Sequence, residues 1–150
     1  MNGSPMKKRI LFICVHNSAR SQMAAAFVNR LCGGEFEAQS AGLEPGKLNP
    51  IVVEALQEIG IDISGNRTQS VDDVLRTGQI FSYVVTVCSE AEAEGCPYFP
   101  GGAHRLHWPF PDPSKLIGSP TEKLARVREI REEIRRKIGA FCEEQCCVCT

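Results

Sequence analysis

Hydrophobic positions in this chain alternate between short continuous runs and helical stripes. Arg9 to Cys14 (RILFIC) is an unbroken apolar run, the pattern of a strand buried on both faces. Ser21 to Leu31 carries Met23, Ala24, Phe27, Val28 and Leu31 at helical spacing, and Gly33-Gly34 stops it. Phe36 to Ala41 reads as a second strand. Asn49-Pro50 supplies an N-cap with proline at the first helical position. It opens a stripe of Ile51, Val52, Ala55, Leu56 and Ile59 that ends at Gly60. Ser70 and Asp73 form a capping-box pair for a short helix through Leu75. Phe81 to Cys88 (FSYVVTVC) is β-branched and predicts a third strand, with Ala103 to Trp108 a weaker fourth. Ser119-Pro120-Thr121-Glu122 opens a long helix with Leu124, Val127, Ile130, Ile134, Ile138 and Phe141 along one side.

Strands alternating with helices predict an α/β domain whose parallel sheet is covered on both faces. Ligands of such folds bind beyond the carboxyl ends of the strands. Cys14 and Cys88 both end predicted strands, so one edge of the sheet is expected to carry both sulfurs.

Composition narrows the class. At 150 residues the chain fits one domain with a core of its own. A formal charge of -1 and the lack of a basic stripe argue against a nucleic-acid partner. Lys7-Lys8-Arg9 ahead of an apolar run imitates the start of a signal peptide, but His16-Asn17 ends the run too early. No stretch approaches the roughly 18 apolar residues of a membrane helix. The expectation is a cytoplasmic protein without a membrane partner. Residues 1–6 are expected to be a loose leader or cloning remnant, 7–141 the domain, and 142–150 a cysteine-rich tail. Eight cysteines are many for such a chain. With no export signal and no need of staples, they are expected to serve catalysis, redox exchange or metal binding.

Residues 14–21 read Cys-Val-His-Asn-Ser-Ala-Arg-Ser, a Cys-x5-Arg-Ser run between a buried strand and a helix. Backbone N–H groups of such a turn converge on one concavity, and the helix dipole adds partial positive charge. Arg20 offers a planar fork for two oxygens of a tetrahedral anion. Cysteines at helix N-termini are reactive nucleophiles because this setting favours negative charge on sulfur. Asn17 and Ser21 are expected to hold the loop and hydrogen-bond the sulfur, with Ser18 and Ala19 completing the anion contacts. His16 receives no catalytic role.

Cys14 to Met23 (CVHNSARSQM) resembles the signature loop of arsenate reductases related to low-molecular-weight protein tyrosine phosphatases. The similarity continues through Ser40-Ala41-Gly42, Asn49-Pro50, Val84 to Cys88, and His107 to Pro113 (HWPFPDP), spanning Lys8 to about Phe141. The resemblance implies a four-stranded parallel sheet flanked by helices on both faces, low-molecular-weight tyrosine phosphatase-like. It also places the general acid at Asp112; taken alone, Asp112-Pro113 reads as an ordinary turn. His107 and Trp108 are expected to shape that loop.

Hydrolysis of a phosphate ester needs a nucleophile, an anion cradle and an acid. Arsenate reduction needs two electrons as well, hence a second thiol. Cys88 is placed by its strand-end position to attack a Cys14–arsenic adduct. Thioredoxin-coupled members of the family use a three-cysteine relay, and the matching positions are Cys14, Cys88 and Cys96. Were residues 88–96 helical, the two Cα atoms would stand about 12 Å apart, while a disulfide needs about 4.4–6.8 Å. The acidic Ser89–Gly95 segment therefore has to rearrange for Cys88 and Cys96 to join. The resemblance implies arsenate as substrate, no bound cofactor, and an external reductant: thioredoxin, or alternatively glutaredoxin or a small thiol. Some relatives bind potassium beside the cradle through acids; the matched positions here hold Ala25 and Ser70, which lack those carboxylates.

Cys32 reads as a packing residue. Cys142, Cys146, Cys147 and Cys149 form a C-x3-C-C-x-C tail, not a standard zinc spacing, open to two readings: incidental thiols on a frayed terminus, or a soft-ion site. Two alternatives to the reductase remain open at this stage, a protein tyrosine phosphatase and a non-catalytic arsenic- or metal-binding redox sensor.

Overall fold

The computed structural model of the chain describes residues 7–89 and 102–146. Four parallel strands, β1 (Lys8–Cys14), β2 (Phe36–Gly42), β3 (Tyr83–Thr86) and β4 (His104–His107), lie in the order β2-β1-β3-β4. The RILFIC run is central, and its alternation serves two cores. Ile10, Phe12 and Cys14 join one buried cluster, while Leu11 and Ile13 join another on the opposite face. The first cluster is roofed by α1 (Arg20–Leu31), α2 (Pro50–Gln57) and α4 (Pro120–Cys146), and the second by α3 (Val71–Arg76).

The helix starts follow their capping residues. Asn49 Oδ1 accepts from the Ile51 amide at 2.9 Å, with Pro50 at N1. Ser70 and Asp73 make a reciprocal capping box on α3, and Ser119 and Glu122 do the same for α4. Glu58, just past α2, clasps α4 through Arg128 (Nε to Oε1, 3.0 Å) and Arg131 (Nη1 to Oε1, 2.9 Å). The hydrogen bonds from Arg128, helped by Arg131, hold the Glu58 carboxyl at about 2, well below the usual carboxylate range.

Three features depart from the sequence expectations. The third strand is shorter: its ladder residues run only from Tyr83 to Thr86, with the flanking Ser82 and Val87 amides donating to Arg9 O and Ile13 O of β1. Phe81, Val87 and Cys88 are buried by packing beyond the ladder, which is why their apolar character lengthened the expected strand. The last helix also runs on to Cys146, since its buried stripe of Ile130, Ile134, Ile138 and Phe141 extends to Cys142. Finally, Cys142 is bonded to Cys32 in a disulfide, Cα to Cα 5.9 Å, tying the end of α1 to the last turns of α4. This corrects two expectations at once. Cys32 is a cross-link rather than mere packing, and Cys142 has no thiolate to offer a soft-ion site. Among the described residues no helix is long and apolar enough to cross a membrane.

Candidate active site

Strand β1 ends on Cys14, and the chain turns through residues 15–19 into α1. Asn17 sits at φ 55°, in the left-handed region. That conformation costs most residues about 1–2 kcal/mol, and Asn tolerates it because its short amide bonds locally. The turn folds the Asn17 N–H back toward the Cys14 Sγ at 3.2 Å. Ser21 Oγ lies 2.9 Å from the same sulfur.

The network settles which way these bonds point. The backbone N–H of Gln69 donates to Asn17 Oδ1 at 2.9 Å, so that atom is the amide oxygen. Asn17 Nδ2 must then donate to Ser21 Oγ at 2.9 Å. With its oxygen accepting there, the Ser21 hydroxyl keeps its own hydrogen available for Cys14. The sulfur thus accepts from the Asn17 N–H and has the Ser21 hydroxyl within hydrogen-bond distance. Asn17 and Ser21 are fully buried, as is nearly all of Cys14 and Arg20, so water competes little for these bonds.

The loop is braced from below. Leu43, Glu44 and Gly46 donate their amides to the carbonyls of Cys14, Val15 and His16 at 3.1, 2.7 and 2.9 Å. Gly42 makes this approach possible, because a Cβ there would stand 2.7 Å from Val15 O and 2.8 Å from Asn17 N. His16 is exposed and its Nδ1 lies 2.9 Å from Glu44 O, a bracing contact. Ala19, the N-cap of α1, provides no side-chain cap. The first amides of α1 are therefore left to whatever anion the loop receives.

Arg20 brings the charge. Its Nη2 lies 3.4 Å from Asp112 Oδ2, and its Nη1 donates to Phe110 O at 3.4 Å. Asp112 caps a 3-10 turn, Pro113–Lys115, by accepting the Ser114 amide at 2.9 Å. Ser114 Oγ is in turn 3.5 Å from Asn49 Nδ2, while the Asn49 amide donates to Ser18 O in the cradle at 2.9 Å. Upstream, Trp108 stacks edge-on against Phe141, ring centroids 5.5 Å apart, with Lys137 over its ring. His107 Nδ1 meets Thr86 Oγ1 at 2.6 Å. These contacts anchor the start of the loop that carries Asp112.

Cys88 keeps its thiol, as Cys14 does, and both are buried at the carboxyl edge of adjacent strands in the same cluster. The register pairs Ile13 with Thr86, and the Val87 amide donates to Ile13 O at 2.9 Å. Parallel neighbours lie about 4.8 Å apart, so Cys88 follows β3 just past the level of Cys14. Cys96, Cys147 and Cys149 lie outside the described residues, as does the side chain of Cys146. Among the described residues no group of three or more His, Cys, Asp or Glu side chains is arranged to hold a metal.

Sequence reasoning missed Gly42, Asn49, Gln69 and Gln22 as supports of the cradle. Gly42 was the one with a readable signal, a glycine closing a strand opposite the nucleophile loop. Gln22 and Gln69 act through tertiary hydrogen bonds that leave no local pattern.

A thiol at a helix N-terminus, ringed by donors and faced by an arginine and a carboxyl, defines a phosphatase-type oxyanion site on a parallel α/β sheet. The model of the low molecular weight phosphotyrosine protein phosphatase family matches residues 9–145. An arsenate reductase of Halalkalibacterium halodurans is 43% identical over 137 residues, which is 91% of this chain and 96% of that protein. Among solved structures, the thioredoxin-dependent arsenate reductase Cg_ArsC1' of Corynebacterium glutamicum is 32% identical with a TM-score of 0.59, covering 88% of this chain and 62% of that one. A low molecular weight protein tyrosine phosphatase from T. tengcongensis, 24% identical, shares the fold with a TM-score of 0.73 over 92% of this chain and 99% of its own. The chain belongs to the low molecular weight phosphotyrosine protein phosphatase family, on the branch that holds the arsenate reductases.

Proposed function

We infer that this protein reduces arsenate to arsenite with its own thiols. The observation that carries the reading is the pair of buried thiols, Cys14 at the end of β1 and Cys88 two residues past the end of the adjacent β3, at the same edge of the sheet as the oxyanion cradle. A hydrolase needs only the first of them.

Arg20 and the loop amides bind the tetrahedral anion, and the Cys14 thiolate attacks arsenic. An oxygen leaves as water, taking a proton from Asp112. Cys88 then attacks the Cys14 sulfur. The sulfur–arsenic bond breaks with its electron pair moving to arsenic, which leaves as arsenite while Cys14 and Cys88 form a disulfide. Attack by Cys96 on Cys88 passes the disulfide outward and restores the Cys14 thiolate. An external dithiol closes the cycle, and the relay calls for no bound cofactor. Thioredoxin is the reductant this reading favours, in keeping with the thioredoxin dependence of the Corynebacterium relative, and the cytoplasm is the compartment that supplies it.

The test is arsenate-dependent NADPH consumption with thioredoxin and thioredoxin reductase, run beside glutathione with glutaredoxin. Turnover in the first mixture supports the reading. Failure in both, with hydrolysis of an aryl phosphate intact, would leave a phosphatase.

A further inference from the structure

We propose that Gln22 is the positioning residue of the cradle: its amide, oriented by Asn66, holds Asn17 in the left-handed turn that aims an N–H at the Cys14 sulfur. Gln22 is the third residue of α1 and is buried at 3% exposure, although a polar side chain there would ordinarily face solvent. Its Nε2 lies 3.1 Å from Asn17 O, 3.3 Å from Asn17 Oδ1 and 3.3 Å from Arg67 O. Three oxygens converge on a group with two hydrogens, so the nitrogen cannot be exchanged for the amide oxygen. Gln22 Oε1 faces the other way and accepts from Asn66 Nδ2 at 3.0 Å.

The direction of every bond follows. Gln69 N–H fixes Asn17 Oδ1 as an acceptor. The two Asn17 oxygens fix Gln22 Nε2 as a donor, and Gln22 Oε1 then requires the donor that Asn66 presents. The line ends at the sulfur, since Asn17 gives one hydrogen directly to Cys14 and another to Ser21. Gln22 grips both the carbonyl and the side chain of Asn17, the one non-glycine residue at positive φ among the described residues. It contacts no reacting atom and acts only through Asn17.

The inference rests on reading residues 14–21 as an anion cradle, whichever oxyanion is turned over. It is tested on the full chain with inorganic phosphate as probe. Protection of Cys14 from iodoacetamide gives the phosphate affinity, and the Asn17 amide resonance reports the turn. Gln22→Met keeps the length of the side chain and removes both donor and acceptor. Expected are a drop in phosphate affinity of about tenfold, a value typical of a lost buried hydrogen bond, a displaced Asn17 resonance, and a retained cooperative unfolding transition. Asn66→Asp, which cannot donate to Gln22, moves the same readouts in the same direction. The double variant is expected to be no worse than Gln22→Met alone.

Gln22→Met binding phosphate within twofold of the wild type, or two substitutions whose effects multiply, overturns the proposal. If Gln22→Met does not fold, Asn66→Asp decides alone by the same twofold limit. A wild type that phosphate does not protect overturns the cradle itself. A wild type that reduces arsenate beside an unaltered Gln22→Met overturns only the role of Gln22.

Discussion

Arg20 Nη2 stands 3.4 Å from Asp112 Oδ2, joining the positive end of the cradle to the carboxyl that closes it. The arginine is almost wholly buried and the aspartate mostly so, so this pair is far less screened than a surface salt bridge. The guanidinium proposed to grip the anion therefore also sets where the proposed acid stands.

Replacing Asp112 with Asn tests the acid without releasing the loop, because an amide oxygen still accepts the Ser114 N–H. Removing a general acid lowers rates by about 10²–10⁴-fold. Steady-state arsenate kinetics are expected to show that fall in kcat with KM little changed.

Cys88→Ser separates reduction from hydrolysis. The variant is expected to retain aryl phosphate hydrolysis and to lose all multiple turnover of arsenate. Quenched mass spectrometry with arsenate is expected to find no internal disulfide at Cys14.

Gly42→Ala places a methyl group against the backbone of residues 15–17, where no flexible side chain can yield. Overpacking of this kind costs about 1–3 kcal/mol. Urea denaturation is expected to register the loss, and phosphate protection of Cys14 is expected to fall with it, since the displaced atoms belong to the cradle.

The Cys32–Cys142 bond closes a sequence separation of 110 residues, for which chain entropy predicts about 4–5 kcal/mol. Cys32→Ser is expected to lower the urea midpoint of oxidised protein and leave that of reduced protein nearly unchanged. Arsenate turnover is expected to persist. Cys32 lies past the far end of the 12-residue α1, about 18 Å from the cradle.

Glu58 gives a pH signature. Its folded value, about 2, is below the ordinary carboxylate value of 4.5. The stabilising contribution is therefore complete above about pH 4.5 and is lost as pH falls through 2. Denaturation of the wild type and Glu58→Gln is expected to differ most at neutral pH, to draw together as pH falls from 4.5, and to converge only below about pH 2, with added salt narrowing the gap.

Much of this was legible because local chemistry and fold agree. RILFIC announced a strand buried on both faces, Asn49, Ser70 and Ser119 announced helix starts, and Cys14 to Ser21 announced an anion loop. Boundaries set by packing were harder. Cys88 looks like strand from its apolar company yet lies beyond the ladder, and Cys142 looks like tail yet continues a buried stripe. The partner of Cys32 was not readable, because no local rule relates positions 110 residues apart. Gln22 reads as a polar helical residue, and only the fold reveals that three oxygens surround its nitrogen.

Asn49 carries a consequence for how the substrate is met. One residue steadies Ser18, starts a helix and touches Ser114, whose amide fixes Asp112. The cradle and the carboxyl proposed as its proton source are thereby ruled on a single template. An arriving oxyanion finds their spacing already drawn, so the orientational search was completed when the chain folded and is not repeated at each turnover.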